Sequence, residues 1–117
     1  MREFETGATR DSDDGKLDFE GFLSPLVLRE FALYMHENRI QTDGNTRDSD
    51  NWQKGIPMQD YIKSLWRHFI ALWTIWRGYK AYDHDDGHEH TIEELCCAII
   101  FNVQGFLHEH IKRRKND

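Results

Sequence analysis

Cysteine is scarce in this chain of 117 residues, and the only two, Cys96 and Cys97, are neighbours. Adjacent residues on a predicted helix point in different directions, and no further cysteine stands at metal-ligand spacing. That excludes a disulfide scaffold and a cysteine-built zinc site. Both thiols read as reduced core residues of a reducing compartment. Positive charge is also short: 15 Lys and Arg against 21 Asp and Glu give a formal net charge of −6. Grip on a nucleic-acid backbone needs clustered positive charge, so nucleic acid is set aside as the main partner. No run approaches the ~18 uninterrupted apolar residues of a membrane span. The N-terminus lacks the apolar core of a signal peptide. The expectation is a cytoplasmic protein without membrane contact. Proline occurs twice, as Pro25 and Pro57, each where a helix is expected to begin. No alternating apolar pattern competes as a strand.

What the chain does have is concentrated in residues 51–78, which hold all four tryptophans and the clearest helix. Pro57 fits the first helical turn, where its missing N–H has no partner to lose. Gly78 fits the position just past the end, where a left-handed residue is favoured. Two apolar stripes run between them. One is Tyr61, Leu65, Leu72 and Ile75; the other is Ile62, Trp66, Phe69, Trp73 and Trp76. Together they cover more than half the helix, so this helix is expected to be central. His68 lies within the first stripe.

Around it, residues 9–13 read Thr-Arg-Asp-Ser-Asp, and the same five recur at 46–50. Asp and Ser there favour tight turns; a sharper reading has both loops line one pocket, with Arg for phosphate and Asp for a cation. Residues 14–23 read as an extended lead-in whose aromatics pin it to the core. Ser24 and Pro25 then start a helix with Val27, Leu28, Phe31, Tyr34 and Met35 on one face. Glu30 flanks that face as a candidate metal carboxylate. A long polar connector follows, carrying Trp52, and long connectors are often functional. After Gly78, residues 83–90 offer seven metal-capable side chains in eight positions. Thr91 and Glu94 have capping-box spacing at the start of the last helix. Its C-terminus carries Lys112, Arg113, Arg114 and Lys115, a charge that the helix macrodipole favours.

These signals predict three helices, at about 25–38, 57–77 and 91–113. The fold class is all-α, a small bundle of three main helices with long polar loops. Residues 1–117 form a single helical domain, with loose ends at 1–8 and 114–117. Dimerisation is one way to cover an aromatic face that three helices leave bare.

His68 and Asn102 are polar residues on apolar faces of neighbouring helices. A buried polar group without a partner costs about 1–3 kcal/mol, so the pair implies a mutual hydrogen bond or the floor of a polar cleft. Arg67 stands next to His68, and Glu93 and Glu94 open the partner helix. Arg10, Arg47, Lys54 and Arg67 are candidates for phosphate charge; Trp52 or Tyr79 could stack on a base.

The segments RDSDNWQKGIP and SLWRH, an aromatic helix ending RG, an acidic loop and a last helix with IIFN follow in order. Before them GATRDSDDGK precedes an LSPLVL helix. Over residues 6–109 this pattern resembles the N-terminal domain of the dATP/dGTP diphosphohydrolases, small MazG-like phage proteins. The resemblance implies hydrolysis of a purine deoxynucleotide to monophosphate and pyrophosphate in the host cytoplasm, using Mg²⁺ or Mn²⁺ held by carboxylates. Taken with the polar residues on apolar faces, it gives an enzymatic reading with His68, Arg67 and Asn102 as catalytic candidates, Asn51, Trp52, Lys54, Arg47 and Arg10 as ligand-binding candidates, and Glu94, Glu93 and Asp86 near the metal. The chain departs from the MazG pattern of acids three residues apart: Glu30 is followed by Leu33 and Glu94 by Cys97, and Glu37 has no fitting acidic partner. Either the loops at 11–14 and 83–89 supply ligands, or the domain binds nucleotides without cutting them. The alternative is therefore a non-catalytic binder, a nucleotide sponge or an inhibitor of a host protein, with a ligand-free helical scaffold third. A homo-oligomer is expected, on the ground of the uncovered aromatic face.

Overall fold

The computed structural model describes residues 2–12 and 14–116. A two-residue antiparallel ladder comes first, β1 (Arg2–Glu3) with β2 (Thr9–Arg10), in the register Arg2 to Arg10 and Glu3 to Thr9. The remaining regular elements, apart from the single bridges Ile40–Thr46 and Tyr82–Glu89 in the loops, are helical: α1 (Phe19–Phe22), α2 (Pro25–Glu37), a 3-10 turn at Asn51–Lys54, α3 (Met58–Trp76) and α4 (Ile92–Asn116). An all-α bundle with three long helices is what the periodicity predicts.

The boundaries follow from local chemistry. Ser24 caps α2 by accepting the Val27 N–H at 3.3 Å, with Pro25 in the first turn. At its far end the Asn38 side chain donates to the Tyr34 carbonyl at 2.7 Å. α3 ends in a Schellman arrangement: Gly78 adopts φ 93°, its N–H reaches the Ile75 carbonyl, and the Tyr79 N–H reaches Thr74. α4 opens with a reciprocal capping box. The Thr91 amide donates to Glu94 Oε1 at 3.0 Å, and the Glu94 amide donates to Thr91 Oγ1 at 3.1 Å.

α3 and α4 form an antiparallel hairpin, and α2 packs on part of α4. The core is small: Tyr61, Ala81, Leu95, Cys97 and Ala98 are its buried apolar residues. Tyr61 lies on Gly105, where a Cβ would strike its ring. Cys97 is buried, Cys96 partly so, and both are free thiols.

α3 is not central. Its Tyr61 stripe turns toward α4, while Ile62, Trp66, Phe69, Trp73 and Trp76 stay exposed, Trp76 at 84%. The wide apolar arc shows how much surface needs cover, and α4 covers one side of it. The lead-in is likewise not pinned to the core. Asp18 caps the single turn of α1 through the Gly21 N–H at 2.9 Å, and Phe19 and Phe22 face solvent, Phe22 at 87%. On α2, Phe31, Tyr34 and Met35 are half-buried, whereas Val27 and Leu28 remain exposed.

The outcome is an elongated molecule of 62 × 40 × 28 Å with a radius of gyration of 19.4 Å. A compact domain of this length has a radius near ~13 Å. Its accessible surface is 9911 Å², against roughly 6,700 Å² for a folded monomer of this mass. No helix among the described residues is long and apolar enough to cross a membrane.

Candidate functional site

Two clefts flank Tyr34, which lines both. The larger, of about 490 Å³, opens between the end of α2, the connector and α4. Arginines shape its polar wall. The Arg47 amide donates to the Arg39 carbonyl at 2.8 Å, and its guanidinium Nη2 donates to the Asn38 carbonyl at 2.6 Å. Arg39 Nε returns a bond to the Arg47 carbonyl at 2.7 Å. The connector is thereby stitched to the C-terminus of α2, where positive charge is electrostatically favoured. The aromatic wall is Trp52, edge-on to His108 at 4.8 Å and to Phe101 at 6.4 Å.

The smaller cleft, about 240 Å³, lies between α2 and the start of α4. Glu30 and Glu37 come from α2, two turns apart and so on one face; Glu93 and Glu94 come from α4. Four carboxylates thus share one depression with Tyr34 and Cys97. Their field is felt by both. Burial raises the Tyr34 phenol, and Glu94 and Cys97 raise it further. Burial raises the Cys97 thiol, with Glu30, Cys96 and Glu93 adding to it. Burial also pushes the Glu94 carboxyl up, but hydrogen bonds from His90, the Thr91 amide and His88 outweigh it and hold Glu94 below the usual glutamate range.

A third feature adjoins Glu94. Asp83 accepts the amides of Asp85 and Asp86 at 2.9 and 3.1 Å. These bonds hold its carboxyl below the usual range. Asp86 accepts the His88 amide at 2.9 Å and the His88 ring nitrogen Nδ1. The opposite ring nitrogen of His88 reaches Glu94 Oε1 at 3.0 Å, and His90 Nδ1 reaches the same oxygen at 2.8 Å. Bonds to Asp86 first and Glu94 second raise His88 above an ordinary histidine.

Of the residues singled out in the sequence, Arg47, Asn51 and Trp52 meet in the larger cleft. Glu93 and Glu94 meet in the smaller, and Asp86 is joined to Glu94 through His88. Lys54 ends the 3-10 turn and Arg10 sits in the N-terminal ladder; neither lines either cleft, nor does the exposed Tyr79. Among the described residues of the two repeated loops, those that reach a cleft are Arg47, Asp48 and Ser49 of the second; Asp13 of the first falls outside the described residues. His68 and Asn102 are linked through Ser64. His68 Nδ1 lies 2.8 Å from the Ser64 carbonyl and 3.2 Å from its hydroxyl, which accepts from Asn102 Nδ2 at 3.2 Å. Asn102 is buried, Arg67 is exposed, and none of the three lines either cleft. Sequence reasoning missed Glu37 as the companion of Glu30, together with Arg39. The signal was there: a seven-residue interval is two helical turns.

No curated protein and no solved structure matches the chain. The family model for the dATP/dGTP diphosphohydrolase N-terminal domain does, over residues 6–114. That match implies a diphosphohydrolase-like function on nucleotides and suggests a divalent metal. It spans nearly the whole sequence, and the chain belongs to the dATP/dGTP diphosphohydrolase N-terminal family.

Proposed function

We propose that this chain hydrolyses purine deoxynucleoside triphosphates to monophosphate and pyrophosphate, with Mg²⁺ or Mn²⁺ held by Glu30, Glu37, Glu93 and Glu94. The observation that carries this reading is the meeting of those four carboxylates in one cleft, sharing Tyr34 with a basic, aromatic one. An all-oxygen donor set of this kind suits hard cations, and the residues present fit the group. The acids absent at three-residue spacing are replaced by the two-turn pair Glu30 and Glu37. A cation bound there would neutralise phosphate charge and orient a water for in-line attack.

The chain's own side chains then divide the remaining work. Arg39 and Arg47 face the phosphates; each guanidinium has five donors, and the loop contacts described above use one apiece. Trp52 offers a face for the base, and Asn51 a polar edge beside it. His68, Ser64 and Asn102 tie α3 to α4 and so support the wall on which Glu93 and Glu94 stand, with Arg67 in solvent. A second copy of the chain covers the bare stripes of α1, α2 and α3. The excess surface of about 3,200 Å² over an ordinary monomer is of the size that obligate interfaces bury.

The test is incubation of each dNTP with the protein and Mg²⁺ or Mn²⁺, with products separated by chromatography. Conversion of dATP or dGTP to monophosphate is expected, with loss in Glu30→Gln and Glu93→Gln. Tight nucleotide binding without product would replace this reading with a non-catalytic sponge, the alternative favoured by the missing three-apart acids. No binding and no turnover would overturn both.

A further inference from the structure

The loop between α3 and α4 carries chemistry that the oxygen-lined cleft does not need. Residues 81–90 fold back on themselves. The Asp83 amide donates to the His88 carbonyl at 2.8 Å, Gly87 to Asp83 at 3.0 Å and His90 to Ala81 at 2.8 Å. Tyr82 and Glu89 pair as an antiparallel bridge. His88 and His90 are two apart on the extended return limb, so both rings project from one side. They meet edge-on with centroids 5.1 Å apart. One ring nitrogen of each, with one Asp83 carboxylate oxygen, falls within a span of 4.8 Å.

Carboxylates also stand on the far side of both rings. A histidine that binds a metal typically gives its other ring N–H to a carboxylate, which fixes tautomer and orientation. Here Asp86 sits on Nδ1 of His88, and Glu94 sits on Nδ1 of His90 at 2.8 Å. Nε2 of His90 is left as a ligating atom and already lies 4.0 Å from Asp83 Oδ2; Nε2 of His88, which reaches Glu94 at 3.0 Å, becomes one when that bond is released. Around a tetrahedral cation, ligand atoms stand about 3.3 Å apart. Closure therefore asks for movements of about an ångström, plus release of the bond between His88 Nε2 and Glu94.

We propose that Asp83, His88 and His90 bind a transition-metal cation of the Zn²⁺ class, with Asp86 and Glu94 as outer carboxylates and a fourth position open to water. Two imidazoles and one carboxylate select a borderline cation over Mg²⁺, which takes oxygen ligands. The site is distinct from the carboxylate cleft in donor chemistry and does not depend on nucleotide hydrolysis. Through Glu94 it braces the first turn of α4.

The test is a Co²⁺ titration of the full chain followed by visible absorption, with Zn²⁺ binding by calorimetry in excess Mg²⁺ and no nucleotide present. Expected are a four-coordinate Co²⁺ spectrum, one Zn²⁺ per chain in excess Mg²⁺ and a melting temperature that Zn²⁺ raises further when Mg²⁺ is already saturating. His88→Ala and His90→Ala each weaken Zn²⁺ by roughly tenfold to a hundredfold or more. Asp83→Asn keeps an oxygen for the turn amides yet removes the ligand charge, so it reports on the metal with the loop intact. His84→Ala, in the same loop but outside the cluster, leaves Zn²⁺ binding unchanged. Equal binding by the His88 and His90 variants, or displacement of Zn²⁺ by Mg²⁺, would mean an adventitious ion only and overturn the proposal.

Discussion

Gly105→Ala is the sharpest probe of the α3–α4 hairpin. On an isolated helix the change stabilises, because alanine outranks glycine by about 1 kcal/mol. In this fold the new Cβ lands closer than 3.0 Å to three Tyr61 atoms, Cζ, Cε1 and Oη. The ring cannot swing aside: Tyr61 is 2% exposed and lies edge-on to Phe101 at 5.8 Å. Relief must come from parting the helices, and overpacking of a tight contact costs about 1–3 kcal/mol, occasionally more. With three ring atoms struck, the upper end applies; the propensity gain offsets about 1, leaving about 2 kcal/mol of net loss. At ~2.1 cal/mol/K of unfolding entropy per residue, that lowers the melting temperature by about 8 °C. Thermal circular dichroism at fixed protein concentration measures it. Tyr61→Ala in the same chain removes the collision, so the double variant should lose less than the two single losses combined. A Gly105→Ala protein as stable as the parent, or more stable, would refute the close approach.

Three further outcomes follow from the same contacts. Tyr61→Phe removes a buried hydroxyl that has no hydrogen-bond partner among the described residues; stability should hold or rise by about 1 kcal/mol, and a clear loss in thermal melts would reveal a partner. Thr91→Ala deletes one half of the capping box and should cost about 0.5–2 kcal/mol, read by the same melts; an unchanged melt would mean that Glu94 caps α4 unaided. Trp66→Glu with Trp73→Glu places charge on the bare stripe of α3 and should shift sedimentation toward the monomer while helicity is kept. A parent chain that already sediments as a monomer at the highest soluble concentration would remove the second copy from the functional reading.

Helix ends were legible in the sequence because their chemistry is local. Ser24 with Pro25, Gly78, and Thr91 with Glu94 each act within a turn, and each does so in the fold. The position of α3 was not legible. Periodicity measures how wide an apolar face is, and cannot say whether the same chain supplies its cover. The exposed Phe19 and Phe22 make the same point at α1. Within the site, Trp52 was readable as an aromatic in a long polar connector and Arg47 as the cation of a repeated turn, while Asn51 was visible only through the family pattern. The pairing of Glu30 with Glu37 was missed because the template sought acids one turn apart, and a helix presents the same face again after two. His68 and Asn102 caught attention as polar intruders on greasy faces; Ser64, an unremarkable residue one turn before His68, is what joins them.

Glu94 serves three masters at once: the first turn of α4, two imidazoles and the acidic depression. An inactive Glu94 variant would therefore say little, since unravelling, a loosened loop and lost chemistry would look alike in a rate measurement. Glu30 and Glu93, which answer to the depression alone among the bonds described, are the positions where a dead enzyme could be read cleanly.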